Sequence, residues 1–260
     1  MSITKRALGL NWNGAKAMEA VVLAGGQGTR LRKAVPNLPK SLAPIGKQPF
    51  LNYLLGWLRA QGITEIILAM GHRRKAIARH YAKHQLPGLR LRYSVESVPL
   101  GTGGALRNLR SMLAGEEFLV LNGDSIFDVD LHQMLGFHRR HRAEATLALA
   151  SPPETGRYGS VVLDARKRIK AFLEKQPAAP EASTGADRTR WVSGGLYIMN
   201  KTVFRHMPRR QEVSLEKEVF PRMIGRPFYG FPWEGYFIDI GVPGDYQKAQ
   251  SELPERFASC

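Results

Sequence analysis

The chain has 260 residues, 43% of them hydrophobic, and a formal net charge of +16. That length and apolar content are enough for a sizeable core in one large domain or two closely joined ones, and they exclude a disordered or fibrous chain. The longest apolar runs, such as Ile66 to Met70 and Phe118 to Leu121, are too short for a membrane span, and the first residues lack a long apolar signal core. The only cysteine is Cys260, which excludes an intrachain disulfide and a cysteine-based metal site. The chain therefore reads as soluble and cytoplasmic.

Short apolar strands alternate with amphipathic helices, the order expected of an open, mostly parallel sheet covered on both faces. The pattern predicts a strand over Ala20 to Ala24, a helix opened by Pro49 and running to about Ala60, a strand over Glu65 to Met70 and a helix over Arg74 to Tyr81. It continues with a strand over Leu89 to Val95, a helix over Gly103 to Leu113, a strand over Glu117 to Leu121, a helix capped by Asp130 and a strand over Ala145 to Ala150. Beyond that point Tyr158 to Leu163 and Arg168 to Phe172 read as a hairpin, followed by a polar loop from Gln176 to Arg188. A strand over Trp191 to Met199, a helix around Ser214 to Met223, a strand over Tyr236 to Ile240 and a helix from Pro243 complete the chain. The expected organisation is an extension over 1–18 and one domain over 19–255. Its halves, 19–150 and 151–255, would bind a nucleotide and a second substrate on either side of a cleft.

Lys and Arg cluster at His72 to Lys75, His138 to Arg142 and Arg166 to Lys170. A basic balance attracts polyanions, either phosphate-rich small substrates or nucleic acid, but these clusters lack the interleaved aromatics of a base-stacking platform. His80 and His84, and His138 and His141, have spacings at which a helix can chelate a metal, yet their neighbours are Arg and Lys.

The segment Leu23-Ala24-Gly25-Gly26-Gln27-Gly28-Thr29-Arg30-Leu31 directly follows the first strand, with Lys40 downstream. Three glycines let backbone N–H groups approach phosphate oxygens, and Arg30 and Lys40 add fixed positive charge. Leu31 stands where a dinucleotide fingerprint needs glycine, and no Gly-Lys-Ser/Thr follows, so neither that motif nor a P-loop is present.

The pattern from Leu23 to Lys40 resembles the signature of the sugar-phosphate nucleotidylyltransferase family. The resemblance extends through Glu96 to Gly104, Asn122-Gly123-Asp124, Glu174-Lys175, Ser193 to Tyr197 and Phe237 to Gly241, spanning about Glu19 to Gln250. It implies a three-layer α/β, Rossmann-like nucleotidyltransferase fold with a mostly parallel mixed sheet and a small β-rich sugar-binding part. Within the family, Tyr93 to Glu96, Arg157-Tyr158-Gly159 and Ser214 to Lys217 resemble the D-glycero-α-D-manno-heptose 1-phosphate guanylyltransferases of surface-polysaccharide synthesis. Mannose 1-phosphate enzymes share some of these residues.

The resemblance implies transfer of a nucleoside monophosphate from GTP or another NTP to a sugar 1-phosphate, with Mg²⁺ as cofactor. Arg30, Lys40 and Asp124 are implied to be catalytic, and Asp124 and Asp239 to hold the metal. Leu23, Ala24, Gly25, Gly26, Gly28, Thr29, Glu96, Gly101 and Gly104 are implied for the nucleotide, and Tyr158, Gly159, Glu174, Lys175 and Gly195 for the sugar phosphate. Asp124 ends one predicted strand and Asp239 lies in another, and strand ends on one sheet edge can converge into a hard-oxygen site. The alternative is that Asp124 caps a turn and Asp239 pairs with an Arg. Asp128 and Asp130 are expected to cap the following helix. The Glu96 carboxylate could accept from both N1–H and N2–H of guanine, a pair that uracil does not offer. A nucleotide sensor and a nucleic-acid-binding protein stay open as other classes, and oligomeric state, a homo-oligomer included, is not set by these residues.

Overall fold

The computed structural model of the chain describes residues 18–26, 31, 35–151, 159–173 and 191–257. In chain order its strands are β1 (Glu19–Leu23), β2 (Pro44–Ile45), β3 (Gln48–Pro49), β4 (Glu65–Met70), β5 (Arg90–Val95), β6 (Glu117–Asn122), β7 (Ser125–Phe127), β8 (Ala145–Ala150), β9 (Ser160–Leu163), β10 (Ile169–Leu173), β11 (Trp191–Asn200), β12 (Phe228–Pro232) and β13 (Phe237–Asp239). The α-helices are α1 (Phe50–Ala60), α2 (Arg74–Lys83), α3 (Gly101–Asn108), α4 (Leu131–Arg140), α5 (Phe220–Met223) and α6 (Pro243–Arg256).

β1 lies inside a nine-stranded mixed sheet, between its parallel neighbours β4 and β6. β5 continues the parallel side, whereas β11 runs antiparallel to β6 and carries β8, with β12 beyond it, and the β9–β10 hairpin. The chain steps from β1 outward to β4 and β5, then returns to place β6 on the other flank of β1. The carboxyl ends of β1 and β6 therefore meet at a topological switch point, where such sheets leave a crevice.

Strand periodicity explains the layers. Ala20 and Val22, Ile66 and Leu68, and Leu119 and Leu121 enter one buried cluster, while Val21, Ile67, Phe118 and Val120 enter another. Alternate side chains point to opposite faces, and both faces are apolar because helices cover each. α1 is buried almost all round through Phe50, Leu51, Tyr53, Leu54, Leu55, Trp57 and Leu58. Asp130 caps α4 by accepting from the amides of His132 and Gln133, each at 3.0 Å.

Several elements depart from the sequence expectation. The helix expected over Gly103 to Leu113 begins at Gly101 and ends at Asn108, followed by a 3-10 turn over Arg110–Met112. The amides of Gly103 and Gly104 donate to the Val213 carbonyl at 2.8 and 3.3 Å, which anchors its first turn to another segment. The helix expected over Ser214 to Met223 starts as a π-turn over Leu215–Val219, with the amides of Glu218 and Val219 both reaching the Ser214 carbonyl at 3.2 Å. Pro221 lacks the N–H that an uninterrupted helix would use. The sequence pattern does not predict β12, since Gly230 and Pro232 weaken its strand signal. The expected strand over Tyr236 to Ile240 shortens to β13, and it pairs with β7 in a separate ribbon rather than in the main sheet.

The loop expected over Gln176 to Arg188 lies outside the described residues. Among the described residues no helix is long and apolar enough to cross a membrane.

Candidate active site

A cleft of about 490 Å³ opens at the switch point. Its floor is the end of β1, Leu23 to Gly26, beside the end of β6, Asn122 to Asp124. Gly123 permits this approach: its amide donates to the Leu23 carbonyl at 2.9 Å, and a Cβ would stand 2.8 Å from that oxygen.

One end is closed by Glu96. Its amide donates to the Met70 carbonyl at 2.9 Å, continuing the line of β5, and its side chain is buried. The carboxylate accepts from the Leu100 amide at 3.3 Å and rests against Gly25 and Gly71, where a methyl would come within 3.2 and 3.1 Å of its two oxygens. Burial pushes the Glu96 carboxyl above its ordinary range, opposed by the Leu100 amide. Arg74, from one of the basic clusters, donates to the Glu96 carbonyl at 2.7 Å.

Pro99 to Thr102 and Ala105 form one wall, and Glu212 and Glu216 face it. Gly101 adopts φ +69°, and a Cβ there would lie 2.5 Å from the Val213 carbonyl oxygen, so glycine is required both for the turn and for the contact. The Thr102 hydroxyl accepts from the Leu215 amide at 2.8 Å and donates to Glu216 at 3.2 Å.

Across the cleft Lys40, in a 3-10 turn over Lys40–Leu42, places Nζ 2.7 Å from Oδ2 of Asp124 and 3.5 Å from Oδ1 of Asp239. Asp124 follows β6, and Asp239 ends β13, opposite Ser125 of β7. The sequence leads one to expect this convergence at the edge of one sheet; the β7–β13 ribbon, not a second strand of the main sheet, brings Asp239 in. Asp239 also accepts from the Gly241 amide at 2.7 Å. Burial, and then the neighbouring Asp124 carboxylate, push the Asp239 carboxyl above its ordinary range against the pull of Lys40.

Leu23, Ala24, Gly25, Gly26, Lys40, Glu96, Gly101 and Asp124 thus line one cleft, with Asp239 joined to it through Lys40. Gly104 lies behind the wall, where a Cβ would stand 2.8 Å from the Gln211 carbonyl oxygen. Gly195 sits behind Asn122 and Ser125, and Gly159 lies beside Leu173; neither is among the lining residues. Gly28, Thr29, Arg30, Tyr158, Glu174 and Lys175 lie outside the described residues.

Asp128 does not cap α4 with its side chain, because its carboxylate accepts from Nε1 of the buried Trp57 at 3.0 Å. Among the described residues Asp239 pairs with a lysine and not with an arginine. The basic cluster at His138 to Arg142 is not wholly a solvated surface. His138 is buried against Thr146 at 2.9 Å, and burial lowers its pKa to about 4. The His80 and His84 rings lie 4.8 Å apart, and no group of three or more His, Cys, Asp or Glu poised for a metal occurs among the described residues.

Sequence reading did not single out Asn122, Thr102, Glu212, Glu216 or Gly241 individually as site residues, though all five line the cleft. Asn122, Thr102, Glu216 and Gly241 stand inside the longer quoted segments, whereas Glu212 lies outside all of them.

This fold and cleft define an α/β protein with a polar crevice at the switch point of its sheet. The pattern of the nucleotidyl transferase family matches residues 19–256. The D-glycero-alpha-D-manno-heptose 1-phosphate guanylyltransferase of Aneurinibacillus thermoaerophilus is 39% identical over 237 residues, covering 91% of this chain and 98% of that protein. The mannose-1-phosphate guanylyltransferase of Mycobacterium tuberculosis is 35% identical, and the match covers 91% of this chain but 64% of that longer protein. The crystal structure of HddC from Yersinia pseudotuberculosis complexed with GMP-PN superposes with a TM-score of 0.78 at 28% identity, covering 91% of this chain and 99% of that one. The chain belongs to the nucleotidyl transferase family. Nucleotidyltransferases of this family generally use a divalent metal.

Proposed function

We propose that this chain transfers GMP from GTP to D-glycero-α-D-manno-heptose 1-phosphate, releasing pyrophosphate. The observation that carries the reading is the bracketing of Lys40 by Asp124 and Asp239 in a cleft whose far end is the buried carboxylate of Glu96. Two relatives, 39 and 34% identical and matched over nearly their whole length, are heptose 1-phosphate guanylyltransferases and support the choice of sugar.

An oxygen of the sugar phosphate attacks the α-phosphorus, the new P–O bond forms, and the bond to the β-phosphate bridge breaks, with pyrophosphate carrying away the electron pair. The attacking oxygen is already ionised near neutral pH, so alignment and charge neutralisation are the enzyme's work. Lys40 neutralises charge at the α-phosphoryl group. Glu96 accepts from guanine N1–H and N2–H, while Leu23, Ala24 and the glycines at 25, 26, 28, 101 and 104, with Thr29, shape the nucleotide seat. Arg30 steadies the departing pyrophosphate. Lys175 binds the sugar phosphate, and Tyr158, Gly159, Glu174 and Gly195 belong to the sugar side.

Asp124 and Asp239 are the residues that would hold Mg²⁺. Two carboxylates suit an ion that takes few protein ligands and completes its shell with water and substrate phosphates. When bound, the ion supplies Lewis-acid neutralisation of phosphate charge.

The test is pyrophosphate release from GTP, UTP, CTP, ATP and dTTP against heptose, mannose, glucose and N-acetylhexosamine 1-phosphates. Turnover confined to GTP with the manno-heptose supports the reading. Preference for mannose 1-phosphate moves the sugar, and silence across the panel sinks the reading.

A further inference from the structure

The ammonium of Lys40 does not point freely into the cleft. It is held 2.7 Å from Asp124 and 3.5 Å from Asp239, with its side chain only 12% exposed, and Gly241 packs so closely that a Cβ there would lie 3.1 Å from Nζ and 2.8 Å from Asp239 Oδ1. The Lys40 ammonium therefore already sits between the two aspartates proposed for the metal, and no other Lys or Arg among the described residues lines the cleft.

We infer that Lys40 is an exchangeable counter-cation: it fills the acidic pair while the nucleotide is absent and excludes a divalent ion, then surrenders the pair when a metal-bearing nucleotide offers its ammonium a phosphate. The inference rests on the proposed use of Asp124 and Asp239 by the metal. Coordination at either carboxylate brings a doubly charged ion into the shell that Nζ fills, and two cations that close repel strongly in a partly buried site. A phosphate relieves both constraints, since Nζ gains an anionic partner and the pair is left to the metal. The same side chain thereby protects two adjacent carboxylates from mutual repulsion in the free protein and neutralises phosphate charge in the complex. The consequence is an order of events: free metal binds poorly, and metal arrives with the nucleotide.

The experiment is Mn²⁺ binding to nucleotide-free protein, followed by electron paramagnetic resonance, for wild type, Lys40→Gln, Lys40→Met and Lys40→Arg. Wild type and Lys40→Arg should bind weakly, and Lys40→Gln and Lys40→Met should bind at least about tenfold more tightly, about 1.4 kcal/mol. Adding Asp239→Asn to Lys40→Gln should abolish the gain. Equal Mn²⁺ affinity in wild type and Lys40→Gln overturns the inference, as does a gain that survives loss of Asp239. Far-ultraviolet circular dichroism checks the fold, and the two neutral variants give independent chances of a folded protein. If wild type releases pyrophosphate with metal yet Lys40→Gln gains no Mn²⁺ affinity, the counter-cation idea fails while the proposed function stands. If Mn²⁺ binds tightly only in the neutral variants but no substrate pair turns over, the reverse holds.

Discussion

The phenol of Tyr197 donates to Oε1 of Glu216 at 3.3 Å, joining the central strand β11 to the segment that walls the cleft. The Ser193 hydroxyl donates to the same phenol at 3.4 Å, and the other Glu216 oxygen takes hydroxyls from Thr102 and Ser214 at 3.2 and 3.3 Å. Glu216 is thus positioned from three elements before any substrate arrives. Tyr197 is fully buried, and burial holds its phenol well above the ordinary range, so it stays a donor.

Tyr197→Phe keeps the ring and deletes that donor. The expected cost is about 1 to 3 kcal/mol, because Glu216 loses a partner in a partly buried place. Urea unfolding monitored by fluorescence measures it. If Glu216 serves substrate, the variant should also raise the KM of one substrate more than it lowers kcat. An unchanged midpoint with unchanged KM would show that the bond carries no weight.

Much of this was legible in the sequence, and the reasons are physical. β1, β4, β6 and α1 have uninterrupted apolar patterns and end near Gly or Pro, so their period and limits are written locally. The glycine-rich strand end and the aspartate after Asn122 also stand in single continuous segments. What could not be read is what depends on distant pairing. β7 has three residues and acquires its strand conformation from β13, more than a hundred residues away. The π-turn depends on Ser214, and the start of α3 depends on the Val213 carbonyl. Glu216 stands in a segment that reads as a plain helix, and its bonds to Thr102 and Tyr197 depend on residues far from it in sequence.

Glu96→Gln separates base recognition from catalysis. A glutamine amide offers one acceptor and a donor where the carboxylate offers two acceptors, so guanine loses a charge-assisted bond worth about 1.5 to 3 kcal/mol. The kcat/KM for GTP should fall roughly 10- to 150-fold, with a much smaller change for a pyrimidine nucleotide. The wild type should show a related pH effect. Only the ionised carboxylate accepts both N–H groups, and burial raises its pKa, so GTP affinity should decline as pH falls through a midpoint above the ordinary glutamate value. Calorimetric titration of a non-hydrolysable GTP analogue across pH 4.5 to 8 measures it, and a flat profile contradicts the assignment.

Asp239→Asn should abolish turnover by about three orders of magnitude or more if the residue holds the metal, yet the ligand-free protein should not weaken at neutral pH. The pKa of Asp239 is raised in the folded state, so the fold favours its protonated form. Stability from such a group is present below the unfolded aspartate pKa and is lost as pH rises through the folded value. Asparagine is neutral throughout and avoids that loss. Melting temperatures of variant and wild type, compared from about pH 4 to 7, should therefore diverge in the variant's favour as pH rises through that window. A variant less stable at pH 7 than at pH 4, relative to wild type, would mean that Lys40 outweighs burial at this carboxylate.

Asp128 supplies the contrasting case, an aspartate near the cleft whose work is structural. Its carboxylate takes the indole N–H of Trp57, a side chain buried in α1, and its carbonyl takes the indole N–H of Trp233 at 3.1 Å. Asparagine preserves an acceptor oxygen for Trp57, whereas alanine leaves a buried donor without one. Asp128→Asn should be close to wild type, and Asp128→Ala should lose about 1 to 3 kcal/mol. In both, kcat at a temperature well below melting should stay within about twofold of wild type, since a fold weakened by that amount remains almost fully populated. Urea midpoints beside initial rates of pyrophosphate release decide it: a stable Asp128→Ala protein with a large loss of kcat would place this aspartate with Asp124 and Asp239 in the chemistry.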